Sequence, residues 1–463
     1  MQMIRFVLFR IFVCLALVSQ LNAQDDDAYM IRKIHDQALG NGKSYEWLRS
    51  LCTNYGGRIA GSPAYIGATE YTKTILEKIP NVSAYLQPCE ANYWKRGSKE
   101  IAYFKTSNGK KQDLSVLSLG NSVATPSNGL LAEVIEVQTL DEVEALGKDK
   151  VAGKIIFFNR PMDPTQIRTF SAYGGAVDQR VYGPSKAAEF GAVAALVRSM
   201  TTANDDFPHT GVTVYRDTLK KIPGLGISTH DADLLSAALK KGTVKVFLKT
   251  DCKSIGLRSA PTVIGEIKGT EYPDEIIVVG GHLDSWDVGQ GAHDDGAGCI
   301  QSIEVLRILQ ALDYKPKRTI RCVLFSNEEN GLAGGKTYSK ISNEKKEFHL
   351  AALESDSGGF SPRGFSFDAD TSVFKGYYKT VNQWLPLLES YGLHFEKGGS
   401  GADIGPLKSQ NGLLIGLRPD SQRYFDFHHT ANDTFENVNK RELELGAAAM
   451  ASLIFLIDKY GIK

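Results

Sequence analysis

The chain has 463 residues, and its 53 basic and 53 acidic side chains leave no formal net charge at pH 7. Such a balance, without basic blocks, argues against nucleic acid or an anionic membrane surface as the partner. The length allows two or three domains of about 150 residues each.

Taken in order, the first 23 residues read as a secretory signal peptide. Arg5 and Arg10 lie in and beside an apolar run through Ile11–Val18, and the stretch ends Leu21-Asn22-Ala23 ahead of three aspartates. The run is shorter than the ~20 residues of a spanning helix, and Arg10 interrupts it. Cleavage after Ala23 is therefore expected over a retained anchor, leaving a slightly acidic mature chain that is secreted or periplasmic. Cys52, Cys89, Cys252, Cys299 and Cys322 remain, scattered and without a C-x-x-C pair. They spell neither a disulfide framework nor a thiolate zinc site.

Amphipathic stretches at Asp25–Leu39, Tyr45–Tyr55 and Pro63–Lys78 predict an N-terminal helical region. From about Val116 to Thr250 the texture changes to short strand-like runs (Leu130–Glu136, Lys154–Asn159, Val193–Arg198, Val244–Lys249) punctuated by Gly and Pro, with one helical run at Ser185–Phe190. This predicts a smaller, β-rich inserted module over 116–255, between catalytic segments 24–115 and 256–463. After Arg258 strands alternate with helices: Thr262–Ile267, Glu275–Gly280, the helix Ala297–Leu312, Thr319–Phe325, a short helix after Gly331, His349–Glu354, a long helix Thr371–Tyr391, Leu413–Leu417 and the closing helix Glu442–Tyr460. The fold class is α/β, a mixed and largely parallel sheet sandwiched by helices. In such sheets ligands bind beyond the carboxyl ends of the strands.

Three of those ends carry metal-competent side chains: Gly281-His282-Leu283-Asp284, Ser326-Asn327-Glu328-Glu329 and Ser355-Asp356-Ser357. Asp294-Asp295-Gly296 opens the helix from Ala297, and Phe427-His428-His429 lies in a polar loop. Each alone reads as an ordinary cap, turn or core histidine. Together they supply the imidazoles and carboxylates that zinc accepts. Two ions sharing a bridging carboxylate need five protein ligands, a count met by His282, Asp294 or its neighbour Asp295, Glu329, Asp356 and His429. Adjacent residues at a strand end point apart, so Glu329 can face a metal while Glu328 takes a proton from the attacking water. Asp284 is spaced to orient His282, and Asp433 to do likewise near His429.

The run from Gly280 to Gly296, with Glu354-Ser355-Asp356 and Phe427-His428-His429, resembles the metal motif of the co-catalytic di-zinc exopeptidases, in particular the carboxypeptidase Q (plasma glutamate carboxypeptidase) family. The resemblance covers most of the mature chain. It extends to Pro208-His209-Thr210-Gly211 and Ile222-Pro223, which look like part of an inserted protease-associated domain. It implies two Zn2+ per chain, one held by His282 and Asp356, the other by Glu329 and His429, with Asp294 bridging and Glu328 as general base. It also implies a cis peptide at Asp294-Asp295 and a homodimer. Glutamate carboxypeptidase II has a tyrosine just before the last ligand; this chain has His428 there, as the carboxypeptidase Q family does, and that imidazole could donate to the tetrahedral intermediate.

The substrate is expected to be a dipeptide or short peptide. A dipeptidase or carboxypeptidase needs a cation for the terminal carboxylate, and Arg418 and Arg423 are candidates. The alternative, an aminopeptidase, needs an acid for the free amine, and Asp403 is the candidate. A non-catalytic binding relative or a single-zinc cyclase is disfavoured by the intact ligand set.

Overall fold

The computed structural model describes residues 25–462, so the expected signal peptide lies outside the described residues. Among the described residues no helix is long and apolar enough to cross a membrane.

An eight-stranded mixed sheet forms the catalytic part, in the order Ser83–Gln87, Thr262–Ile267, Arg318–Phe325, Tyr272–His282, Phe348–Glu354, Leu413–Pro419, Pro362–Asp368 and His394–Lys397. The four strands from Arg318–Phe325 to Leu413–Pro419 run parallel. Their residues are almost entirely buried, as a sheet covered on both faces requires. Helix Ala297–Ala311 packs on the strand Tyr272–His282 and against the closing helix Lys440–Tyr460. Both helices are buried nearly all round, so that face is a thick apolar core.

The expected long helix Thr371–Tyr391 is instead broken, into Thr371–Asn382 and Leu385–Glu389. Pro386 stands at the second position of the second piece and has no N–H to continue the first. The short helix expected after Gly331 runs from Ala333 to Lys345.

The chain leaves the catalytic sheet through the strand Glu90–Lys95 and returns through Lys253–Ser259, and these two pair antiparallel. Between them lies a second eight-stranded sheet. It begins at Ile101, earlier than residue 116, because Ile101–Lys105 pairs with Lys245–Lys249. Nor is this part β-rich. Four of its strands, Leu130–Val137, Ile155–Phe158, Ala194–Arg198 and Gly224–Ile227, are parallel, and parallel neighbours need crossovers. Helices Leu140–Val151 and Asp178–Glu189 supply two of them.

A buried guanidinium ties the two parts together. Arg96 donates to Asp287 Oδ1 at 2.8 and 2.9 Å, to the Ser118 carbonyl at 2.5 Å and to Thr210 Oγ1 at 3.3 Å. Removing one partner of such a network leaves the others buried and unpaired.

His349 gives the fold an acid sensitivity away from the site. Its ring is buried between Tyr338 Oη at 2.7 Å and Gln410 Oε1 at 2.8 Å, and burial pulls its pKa down to about 4. An unfolded chain binds that proton near pH 6.5. Between those values the unfolded state is the more protonated one, so stability falls as pH drops from 6.5 to 4, by about 3 kcal/mol from this residue. Melting curves across that range should show a shallower slope for His349→Gln. Equal slopes would remove the assignment.

Candidate active site

The parallel strands Arg318–Phe325, Tyr272–His282 and Phe348–Glu354 are neighbours, which brings the loops at their carboxyl ends together. His282 ends the middle strand; its Nε2 lies 3.2 Å from Asp294 Oδ1 and 3.5 Å from Asp356 Oδ1. The other oxygen of Asp294, Oδ2, lies 3.2 Å from His429 Nε2, and that nitrogen is 3.0 Å from Glu329 Oε2. Asp294 therefore faces an imidazole on each side.

Asp295 points elsewhere. Its Oδ2 accepts from the His282 amide at 3.1 Å and its Oδ1 from the Gly298 amide at 2.9 Å, so both oxygens are committed to backbone. The Asp294-Asp295 peptide is cis. Asp433 accepts from the His293 and Asp294 amides at 2.7 and 3.1 Å, holding the Asp294 segment rather than the ring of His429.

Asp284 acts differently from the spacing expectation. Its backbone carbonyl, 3.0 Å from His282 Nδ1, fixes the imidazole, while its carboxylate stands 3.9 Å away. That carboxylate accepts from the amides of Glu328 and Glu329 at 3.1 and 3.3 Å. It thus holds the turn that sends Glu329 toward His429 and leaves Glu328 lining the cavity.

The electrostatics follow from burial and close opposite charges. Burial pulls His429 down, but Glu329 and Asp294 outweigh it and hold the ring at about 9. Burial would raise Asp294, yet His282 and His429 keep it well below the carboxylate range. Burial and the Asp294 charge push Glu329 up to about 7. Glu328 is raised well above the ordinary value by burial, with Asp356 and Glu329 adding to it. His428 is driven well down by burial, then by His429 and Arg180.

These residues fit a metal. Asp294 Oδ2 and Glu329 Oε1 are buried and accept no hydrogen bond, a costly state for carboxylate oxygens unless a cation faces them. His282, Asp294 and Glu329 present ligand atoms within 4.8 Å of one another, as do Asp294, His428 and His429; Asp295 also comes within that distance of His282 and Asp356, but with its oxygens taken by backbone amides. His428 stacks on His429 with ring centroids 3.5 Å apart, and its Nε2 is 3.8 Å from Asp294 Oδ2.

The three residues expected to touch substrate do not line the cavity beside Glu328 and His428. Asp403 is buried behind it near Glu354, whose charge adds to the burial that raises it. Arg418 donates to Ser366 Oγ at 2.8 Å, and its Nε lies 3.8 Å from Glu396. Arg423 is exposed, 3.8 Å from Asp426.

Two other arginines are close to the site. Arg58, fully buried, donates to the carbonyls of Leu283, Gln290 and Gly291 at 2.5, 2.7 and 2.8 Å, clamping the loop between His282 and Asp294. Arg180, from the inserted part, lines the cavity with Glu328, Glu329, Asp356 and His428. Its Nη2 donates to Tyr173 Oη at 2.6 Å, its Nη1 lies 3.4 Å from His429 Nδ1, and its Nε has no partner. Nothing in Val177-Asp178-Gln179-Arg180 separates this arginine from a surface charge; only the docking of the inserted part reveals it.

A largely buried cluster of two imidazoles and three carboxylates, gathered beyond the carboxyl ends of parallel strands beside a cavity, is the donor set of a hydrolytic metal centre. Residues 262–454 match the model of Peptidase family M28. Carboxypeptidase Q of Bos taurus is 33% identical over 417 residues, covering 90% of this chain and 85% of that protein. A crystal structure of a Peptidase M28 precursor from Shewanella amazonensis SB2B is similar with a TM-score of 0.89 at 31% identity, covering 95% of this chain and 99% of that one. A zinc aminopeptidase from Bacillus subtilis, 18% identical, shares the fold with a TM-score of 0.63, over 91% and 94% of the two chains. The chain belongs to peptidase family M28 and is a metallopeptidase.

Proposed function

We propose that the protein is a di-zinc exopeptidase that hydrolyses dipeptides or short peptides with a free carboxyl terminus. The observation that carries this reading is Asp294, whose two oxygens face His282 and His429 at 3.2 Å each. His282 and Asp356 would hold one zinc, Glu329 and His429 the other, with Asp294 shared. When bound, the zinc pair supplies Lewis acidity toward the attacking water and the peptide carbonyl.

The protein's own residues do the rest. Glu328, held by its amide on Asp284, takes the proton from the attacking water and returns it to the leaving amine. His428, beside Asp294, donates a hydrogen bond to the oxygen on which negative charge develops. Arg180 receives the substrate's terminal carboxylate. Were His429 to hold a metal through Nε2, its Nδ1 would carry the proton and offer the facing Arg180 Nη1 no acceptor, leaving that donor for the substrate. An aminopeptidase is the second reading, and the burial of Asp403 away from the cavity counts against it.

The sheet inserted between residues 95 and 253 is read as a protease-associated domain, broadly the 116–255 module extended at its start. The mature enzyme is read as a secreted or periplasmic homodimer following a signal peptide over 1–23.

Metal analysis of the purified protein should give two zinc per chain; one would favour a cyclase and none a binding relative. Free dipeptides should be cleaved and C-amidated ones poorly. Arg180→Met should lower kcat/KM for free dipeptides by about 10–100-fold, the worth of a charge-assisted hydrogen bond pair, with little change for amides. Equal losses on both would remove Arg180 from carboxylate recognition.

A further inference from the structure

The cavity beside the metal-competent residues has a volume of about 470 Å³ and two unlike walls. One is acidic, with Asp294, Glu328, Glu329 and Asp356; the other is apolar, with Phe170, Tyr173, Val212, Val214, Tyr424 and Phe425. The apolar wall is not required by the hydrolytic chemistry.

Its rings form one connected stack. Phe170 lies flat on Tyr424 with centroids 5.4 Å apart and edge-on to Phe425 at 5.0 Å; Phe425 in turn stacks on Tyr173 at 4.8 Å. Tyr424 and Phe425 are buried, whereas Phe170 is 40% exposed and Val214 48% exposed. Single exposed apolar side chains are ordinary on a protein surface. Here both come from the inserted part and both line this cavity, although Val214 also lines a second cavity with Leu140 and Tyr182.

The position of the stack says which part of the substrate would cover it. Tyr173 accepts a hydrogen bond from Arg180, so the aromatic wall begins where the terminal carboxylate is held. A Cα is one bond, about 1.5 Å, from its carboxyl carbon. The side chain borne by that Cα therefore starts within reach of the aromatic wall, of which Phe170 is the exposed ring.

We propose that this wall selects substrates whose residue after the scissile bond carries a large apolar side chain, and that Phe170 and Val214 read it. The proposal rests on the reading that Arg180 holds the terminal carboxylate. An apolar side chain covers the exposed faces of Phe170 and Val214 and leaves water. An acidic one would lose hydration against the rings without a partner.

The test is kcat/KM for the dipeptides Ala-Gly, Ala-Leu, Ala-Phe and Ala-Asp, with the corresponding C-terminal amides in parallel, for wild type, Phe170→Ala and Val214→Ala. Wild type should prefer Ala-Phe over Ala-Gly by at least about tenfold, the scale of a hydrophobic subsite. That ratio should collapse in Phe170→Ala, chiefly through KM, and fall less in Val214→Ala. A ratio unchanged in both variants, or a wild-type preference for Ala-Asp over Ala-Phe, overturns the proposal. Amides cleaved as well as free dipeptides would overturn the carboxylate reading instead, and the side-chain preference is still read within each series.

Discussion

Glu328→Gln is expected to lower kcat on a free dipeptide by about 10²–10⁴-fold, the usual contribution of a positioned acid–base group, without loss of zinc. Glutamine keeps the shape of the side chain and takes no proton. The neighbouring Glu329 faces His429 at 3.0 Å, so the two adjacent carboxylates have separate tasks. Their divergence is set by Asp284, which accepts both backbone amides, and by Asn327, whose positive φ of 64° turns the chain just before them. Steady-state rates together with metal content check this. A variant that keeps a tenth of wild-type kcat would exclude Glu328 as the base, and a variant that loses zinc would make it a ligand.

The second large effect separates two neighbours. Asp294→Asn leaves one side-chain oxygen where two are needed to face both His282 and His429. Zinc content should fall by at least one per chain, and turnover by more than about 10²-fold, the scale of losing one electrostatic stabiliser. Asp295→Asn should keep both metals. It replaces one acceptor of the His282 and Gly298 amides by an NH2 group, which costs about 1–3 kcal/mol of stability. Zinc titration and melting of the two variants distinguish the outcomes, and loss of metal only from the Asp295 variant would reverse the ligand list.

Much of the catalytic sheet was legible. The strands ending at His282, Phe325 and Glu354 are short apolar runs between turn residues, a pattern local enough to read directly. Other elements were hidden. Ile101–Lys105 is a half-buried strand whose two end residues are exposed, and its pairing with Lys245–Lys249 joins residues more than a hundred positions apart. The break in the helix after Asn382 had a local cause in Pro386. In the site, Asp284 illustrates the limit of spacing. Two residues from His282 predicts an imidazole partner, but the carboxylate turns to amides forty-odd residues further on.

The sequence by itself determined the donor chemistry, imidazoles and carboxylates at strand ends, because side-chain type and short periodicity are local properties. It also carried enough motif to point to the family. Only the tertiary structure decided which donors face one another, that Asp294 rather than Asp295 has uncommitted oxygen, and that Arg180 and Phe170 reach the cavity from the inserted part. Those facts depend on strand order and on the docking of distant segments through Arg96 and Thr210. Contacts between residues so far apart in the chain are set by the packing of whole elements, and no local propensity encodes them.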